Sequence, residues 1–332
     1  MGCFLQPAAP HNHQEIQHPS RAAALDLGSN TLRLLVAEVD GGGWRALERG
    51  LATPRLGRGL RPGGPLAPEA RRAARERVGQ FTALARSLGA RRVSLAATQA
   101  CRLAVDGPDF VAELGREFAL DSARVLDGLE EARLSRLGVM SRLEGVAQGA
   151  ILADVGGGSS EIVDLGPVPC PALSLPLGAV GLSEAHLRGD PPGPAELKAL
   201  DQAVRQALLP LAGRRAERLV ASAGTASTLA SLVLGLDEYQ PERINNLVVP
   251  ARVLDDQAAR LAALPLAERR RMRGLEPERA DIIIAGLAIL RGILEVLGLD
   301  RLTTMDAGLL EGILLDDLGR VARNSRPLSQ TG

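Results

Sequence analysis

Two stretches of the chain repeat one device. Residues 23–36 read AALDLGSNTLRLLV and residues 151–163 read ILADVGGGSSEIV. Each carries apolar residues into an Asp, passes through a short Gly-containing turn and returns to apolar residues. Short apolar runs bounded by turn residues predict buried strands, so each stretch is expected to be a hairpin with Asp26 or Asp154 at the end of its first strand. A Gly-rich turn that opens into a second strand differs from the dinucleotide fingerprint, whose turn opens into a helix. A chain of 332 residues exceeds one ordinary core, and the hairpin occurs once in each half. One architecture used twice, with a cleft between, is the expectation.

The surrounding pattern alternates strands and helices. Residues 23–40 predict two strands around Gly28, Ser29 and Asn30. The Gly- and Pro-rich residues 51–68 predict a loop, followed by an amphipathic helix over residues 70–88 and the strand VSLAAT. A helix at residues 110–118, a strand at 124–126 and a helix from about Leu129 complete the first half. The second half predicts strands at 151–155, 161–165, 218–223 and 302–305. Its helices are expected from Ala195, over residues 225–234, 253–264 and 282–297, and from Leu309. The result is an α/β fold in each half. The apolar residues 280–299 are interrupted by Arg291 and Glu295, so they predict a buried helix and not a membrane span.

Charge and composition remove several functions. The 39 basic residues balance the 39 acidic ones, which leaves no electrostatic footprint for nucleic acid or an anionic membrane. Lys198 is the only lysine. A Walker-type P-loop and a protein-kinase ATP site both place a lysine on the phosphates, so neither is present. An anion site in this chain would use Arg and backbone N–H groups. Cys3, Cys101 and Cys170 form no C-x-x-C pair, so neither a disulfide framework nor a zinc site is indicated, and a reducing cytoplasm fits. Residues 1–20 lack a basic segment and an apolar core and read as a disordered tail, His11, His13 and His18 included.

The small residues of both turns would let phosphate oxygens approach backbone N–H groups closely, with Ser29, Asn30, Ser159 and Ser160 as further partners. Asp26 and Asp154 stand at strand ends, where a carboxylate can hold Mg²⁺ or its waters against phosphate charge. One turn of this kind is most often an ordinary hairpin; two, one per half, favour a phosphate site. Gly224 and Thr225, with Ser227, open a helix whose N-terminus is a third anion-binding element.

These two hairpins with the Gly224-Thr225 turn resemble the phosphate-binding superfamily of actin, hexokinase and Hsp70. Finer wording narrows the likeness: ATQACR, LDGLEEARLSRLGV, ADVGGGSSEIVDLG, SLPLGAVGLSE, ASAGTASTLASL and LEPERADIIIAG resemble the exopolyphosphatase and guanosine pentaphosphate phosphatase family, in its short two-domain form. The resemblance implies two actin-like (ribonuclease H-like) domains, residues 21–136 and 137–318, with an interdomain cleft and a C-terminal tail at 319–332. It implies a hydrolase that releases terminal phosphate from polyphosphate or guanosine pentaphosphate in the cytoplasm, with Mg²⁺ as cofactor and Mn²⁺ as the alternative. A homodimer is admitted; nucleic acid and membrane are not expected partners.

Residue by residue, the resemblance implies that Glu131 is the base that activates water. It implies that Arg102 binds phosphate with Gly28, Ser29, Asn30, Gly156, Gly157, Gly158, Ser159, Gly224 and Thr225, and that Asp154, Glu161 and Asp26 serve the metal. Glu131 also lies near a helix start, where the helix dipole favours the ionised carboxylate a base requires. Gly181, Asn245 and Leu310 stand where the family's wording has Arg, His and Arg. Their presence keeps open a protein that binds alarmone or polyphosphate without hydrolysing it. A kinase or ATPase of the wider superfamily is disfavoured by ATQACR and EEARL.

Overall fold

The structure is a computed structural model that describes residues 20–40, 43–166 and 171–324. The tail with its three histidines, Cys3, Cys170 and the last eight residues of the predicted C-terminal tail lie outside the described residues. Two sheets carry the fold. The first has the order β3-β2-β1-β4-β5, built from β1 (Ser20–Leu27), β2 (Leu32–Asp40), β3 (Gly43–Ala52), β4 (Arg92–Ala97) and β5 (Ser122–Val125). The second has the order β10-β11-β9-β6-β7-β8. Its strands are β6 (Ala150–Val155), β7 (Ser160–Asp164), β8 (Leu173–Leu175), β9 (Arg218–Ser222), β10 (Leu247–Pro250) and β11 (Arg301–Thr304).

The two sheets share one topology. In the first, β1, β2 and β3 form an antiparallel meander, and β4 and β5 add parallel on the far side of β1. In the second, β6, β7 and β8 form the meander, and β9 and β11 add parallel beyond β6. Among the described residues, only the antiparallel edge strand β10 has no counterpart. The repetition seen in two short stretches of sequence therefore extends through whole sheets.

Several elements depart from the sequence expectations. Residues 43–52 form β3, although nothing was expected at 43–50 and a loop was expected from Leu51. The strand GWRALERGLA is half exposed along its length and carries two Arg and a Glu, as a sheet edge does, so it lacks the apolar run that marks β1. The short strands β8 and β10 were also not expected. Two helices, Gln99–Leu103 and Ala179–His186, occupy segments with no predicted helix.

Strands β1 and β6 are buried on both faces, as central strands covered by helices are. Ala23, Leu25 and Leu27 enter one core cluster, and Ala22 and Ala24 another. In β6, Ile151, Ala153 and Val155 likewise separate from Ala150 and Leu152. Side chains alternate between faces along a strand, so Asp26 and Asp154 belong to the even-numbered face of each. That face is covered by the helices Gly128–Met140 and Leu309–Asn324, through Leu134, Leu309, Leu310, Ile313 and Leu314 in the first lobe and Ala132 and Val139 in the second. The two helices cross at glycines: a Cβ on Gly138 would stand 1.8 Å from the Gly308 carbonyl oxygen, and one on Gly312 would stand 1.9 Å from that of Leu134. The helix expected over 282–297 runs Ile283–Leu297 and is buried along most of its length. No helix among the described residues is long and apolar enough to cross a membrane.

Candidate active site

Both hairpin turns close the same way. The Gly28 N–H donates to the Thr31 carbonyl at 2.8 Å, and the Gly156 N–H donates to that of Ser159 at 3.0 Å. The turns also meet. A Cβ on Gly158 would lie 2.4 Å from Ser29 Oγ and 1.9 Å from Gln99 Oε1, and one on Gly157 would lie 3.2 Å from Asn30 Cβ. Glycine is required there because the two lobes approach backbone against side chain. Between the turns lies a cavity of about 80 Å³, several times the ~10–15 Å³ that one water requires. Its walls include Gly28, Ser29, Asn30, Gly156, Gly157, Gly158, Ser159, Gly224, Thr225, Asp26, Asp154 and Glu131, all expected from sequence.

Two expected residues do not line this cavity. Arg102, on the helix Gln99–Leu103, donates through Nη1 to the Leu126 carbonyl at 2.6 Å and to Glu131 Oε2 at 3.1 Å. Glu161 lies behind Asp154 and accepts from Ser174 Oγ at 2.8 Å. Thr225 lines the cavity, but its hydroxyl donates to the Val155 carbonyl at 3.2 Å. Only the backbone of that turn is left to meet an anion.

The Gly128–Met140 helix starts at Asp127, whose carboxylate accepts from the Glu130 N–H at 2.8 Å. Its adjacent glutamates then part. Glu130 turns to Arg124 and Arg133, while Glu131 is 7% exposed and faces the cavity. Burial raises the Glu131 pKa well above the ordinary carboxylate range, the Glu161 charge adds to that, and Arg102 opposes both.

The duplicated hairpins differ at one register position. Asp26 stands across from Arg33, and Asp154 across from Glu161. In the first lobe Arg33 donates through Nη2 at 2.6 Å and Nε at 3.0 Å to Asp26 Oδ2, so that oxygen is committed inside the protein. In the second lobe two carboxylates face each other, an unfavourable cross-strand pairing. Burial and then the Asp154 charge push Glu161 up to about 8. Asp154 is raised mainly by burial, while the hydroxyls of Ser135 and Ser222 and the Arg33 charge act the other way.

Two arginines of the cavity were not expected. Arg33 is marked in sequence only by its place across a tight turn from Asp26. Arg279 lies in LEPERAD, pairs through Nε with Glu276 Oε2 at 2.5 Å, and is packed so closely on Gly224 that a Cβ there would stand 1.7 Å from Nη1. Cys101 is buried and its thiol is pushed up to about 12 by that burial, consistent with a packing residue.

No group of three or more His, Cys, Asp or Glu among the described residues is arranged to hold a metal. Mg²⁺ needs less, since it keeps several waters and takes one or two carboxylates plus substrate phosphate oxygens. The acidic groups here offer only oxygen donors, which suits a hard divalent cation.

Fold and cavity together define an α/β protein of two like sheets whose paired Gly turns converge on one small, charged chamber. The profile of the Ppx/GppA phosphatase family matches residues 35–321, and the chain belongs to that family. It is 32% identical over 316 residues to exopolyphosphatase 2 of Mycobacterium tuberculosis, covering 90% of this chain and 99% of that protein. It is 29% identical over 306 residues to exopolyphosphatase 1 of Mycobacterium leprae, covering 90% and 89%. The crystal structure of the Aquifex aeolicus member of the Ppx/GppA family superimposes with a TM-score of 0.76 at 28% identity, over 91% of this chain and 99% of that one.

Proposed function

We propose that this protein is a hydrolase that removes the terminal phosphate of inorganic polyphosphate or guanosine pentaphosphate, built from two actin-like domains around a cleft. The observation that carries the reading is the contact between the two Gly turns with Glu131 in the chamber they enclose. The exopolyphosphatase names of the mycobacterial relatives support it.

The terminal phosphate would be seated between the turns 28–30 and 156–159, with backbone N–H groups and Ser29 and Ser159 donating to its oxygens. Glu131 would orient a water and accept its proton as the water oxygen attacks phosphorus and the anhydride P–O bond breaks. Burial raises the Glu131 pKa, and a carboxylate of raised pKa is a stronger base than an ordinary one. Asp154, with Glu161 behind it, would hold a divalent cation, Mg²⁺ or Mn²⁺. When bound, that ion would supply charge neutralisation at the phosphate oxygens. Arg102 would stabilise the ionised form of Glu131, to which it donates at 3.1 Å.

The test is phosphate release by the purified protein with Mg²⁺ from long polyphosphate, short polyphosphate and guanosine pentaphosphate. Release that disappears in Glu131→Ala is the expected result. Binding without release from any of the three would replace the hydrolase with a non-hydrolysing sensor. Gly181, Asn245 and Leu310 are the residues that favour that second reading.

A further inference from the structure

The loop after β3 reaches across the cleft at a residue held in an unusual conformation. Arg55 has φ of 57°, a left-handed value uncommon for a residue with a Cβ and costly to maintain unless its surroundings impose it. Those surroundings are on either side. Pro54 precedes it with a fixed φ, and the Leu56 side chain that follows is 1% exposed in the core of the first lobe. The backbone is pinned to the first Gly turn: the Arg55 N–H donates to the Asn30 carbonyl at 3.0 Å and the Gly57 N–H to that of Ser29 at 2.7 Å.

From this anchored position the Arg55 side chain leaves its own lobe. Nη1 donates to Asp281 Oδ2 at 2.6 Å and Nη2 to the Glu278 carbonyl at 2.9 Å. Both partners flank Arg279, on the far wall of the cavity. Four residues along, the Gly59 N–H lies 3.2 Å and 3.3 Å from the two oxygens of Glu184, again in the second lobe. One short segment thus ties the turn 28–30 to two separate segments of the opposite lobe. Two hydrogen bonds from one planar guanidinium to two partners fix orientation as well as distance.

We propose that Arg55 and Asp281 form a latch that holds the two lobes closed over the chamber. Arg55 acts as a positioning residue: the loop that carries it is hydrogen-bonded to the turn that receives phosphate, so seating that turn and closing the latch are one movement. Neither residue lines the chamber. The idea rests on the hydrolase reading for its kinetic consequence and stands apart from it for its structural one.

Hydrogen exchange of the full chain without substrate tests the structural part. Asp281→Asn should speed exchange of residues 53–60 and of the turn 28–31 by about tenfold, because opening of this region becomes cheaper. Arg55→Gln should do the same, and the double variant should exchange no faster than either single one. Phosphate release from inorganic tripolyphosphate tests the kinetic part. With a smaller fraction of closed protein, KM should rise about five- to tenfold in Asp281→Asn while kcat stays within about twofold. Loss of overall stability alone would lower the active fraction without moving KM. Unchanged exchange at 53–60 in both single variants, or additive effects in the double one, would overturn the latch. If the unaltered protein releases no phosphate from any substrate, the hydrolase reading fails and the exchange data still decide the latch.

Discussion

The Nη1 atom of Arg102 lies 3.1 Å from Oε2 of Glu131, so the guanidinium expected on phosphate rests on the carboxylate expected to activate water. Glu131 lines the chamber and is about nine-tenths buried, while Arg102 stands behind it and is a quarter exposed. An anion entering the chamber would compete with Glu131 for the same guanidinium.

Glu131→Gln keeps the shape of the side chain and removes its capacity to take a proton. It should lower kcat by about 10²–10⁴-fold, the usual contribution of a positioned base, and leave KM within about threefold, since ground-state binding is unaffected. Initial rates of phosphate release across substrate concentration check both values. A kcat equal to that of the unaltered protein would remove Glu131 from the chemistry.

The cross-strand pair of Asp154 and Glu161 makes stability depend on pH in a predictable direction. Glu161 is raised from its ordinary value to about 8, so the folded state binds its proton more tightly than the unfolded state does. That contribution is fully present below the unfolded value near 4.5 and is lost as pH rises through about 8. Glu161→Gln should therefore melt at least ~2–4 °C above the unaltered protein at pH 9, the shift that 1 kcal/mol gives in chains of this order, with the difference closing at pH 5. Mg²⁺ and protons compete for the same carboxylates, so Mg²⁺ should raise the melting temperature more at pH 8 than at pH 5, and less in Asp154→Asn. A Mg²⁺ effect of equal size at both pH values would count against Asp154 as its site.

Gly181 lies two residues beyond Ala179, which lines the chamber, and a Cβ there meets nothing within 4 Å. The resemblance implies an Arg at this position. Gly181→Arg should lower KM for long polyphosphate by up to about fivefold, as an exposed ionic contact of ~0–1 kcal/mol allows. The helix itself should gain slightly from losing a glycine. Phosphate-release kinetics together with a melting curve check both, and a raised KM would show that the position faces away from the substrate's path.

The crossing of the two interlobe helices tolerates no side chain on Gly138. A methyl there would press on the backbone at Gly308 and Gly312, which cannot move aside as a flexible side chain does. Gly138→Ala should destabilise by about 1–3 kcal/mol or more, read from the urea midpoint. Gly181→Ala, with open space around it, is the control and should not.

The buried hairpins were legible in the sequence because they are the parts whose pattern is fixed locally. An apolar run leading into Asp and a Gly turn has few alternatives, and the repeat placed Asp26, Asp154 and both turns in one chamber. The edge strand β3 was not legible, since half-exposed residues such as Arg49 and Glu48 read equally well as loop. Arg33 and Arg279 escaped for a different reason. A single Arg among 38 carries no local signal, and only the register opposite Asp26 and the approach to Gly224 give these two their place. The commitment of Asp26 to Arg33, while Asp154 faces Glu161, likewise exists only once both hairpins are folded.

The helix Leu309–Asn324 closes the core that Ala22 and Ala24 begin. A ribosome delivers these pieces at opposite ends of the job, so for most of synthesis the even face of the first sheet lacks its cover. Strand β1, its hairpin and the helix from Gly128 must wait, as an unfinished half with an open apolar side, for residues made after the whole second sheet. That face of the first sheet is thereby covered only after the second sheet has been made, and a nascent chain interrupted anywhere before Leu309 would lack part of the chamber wall.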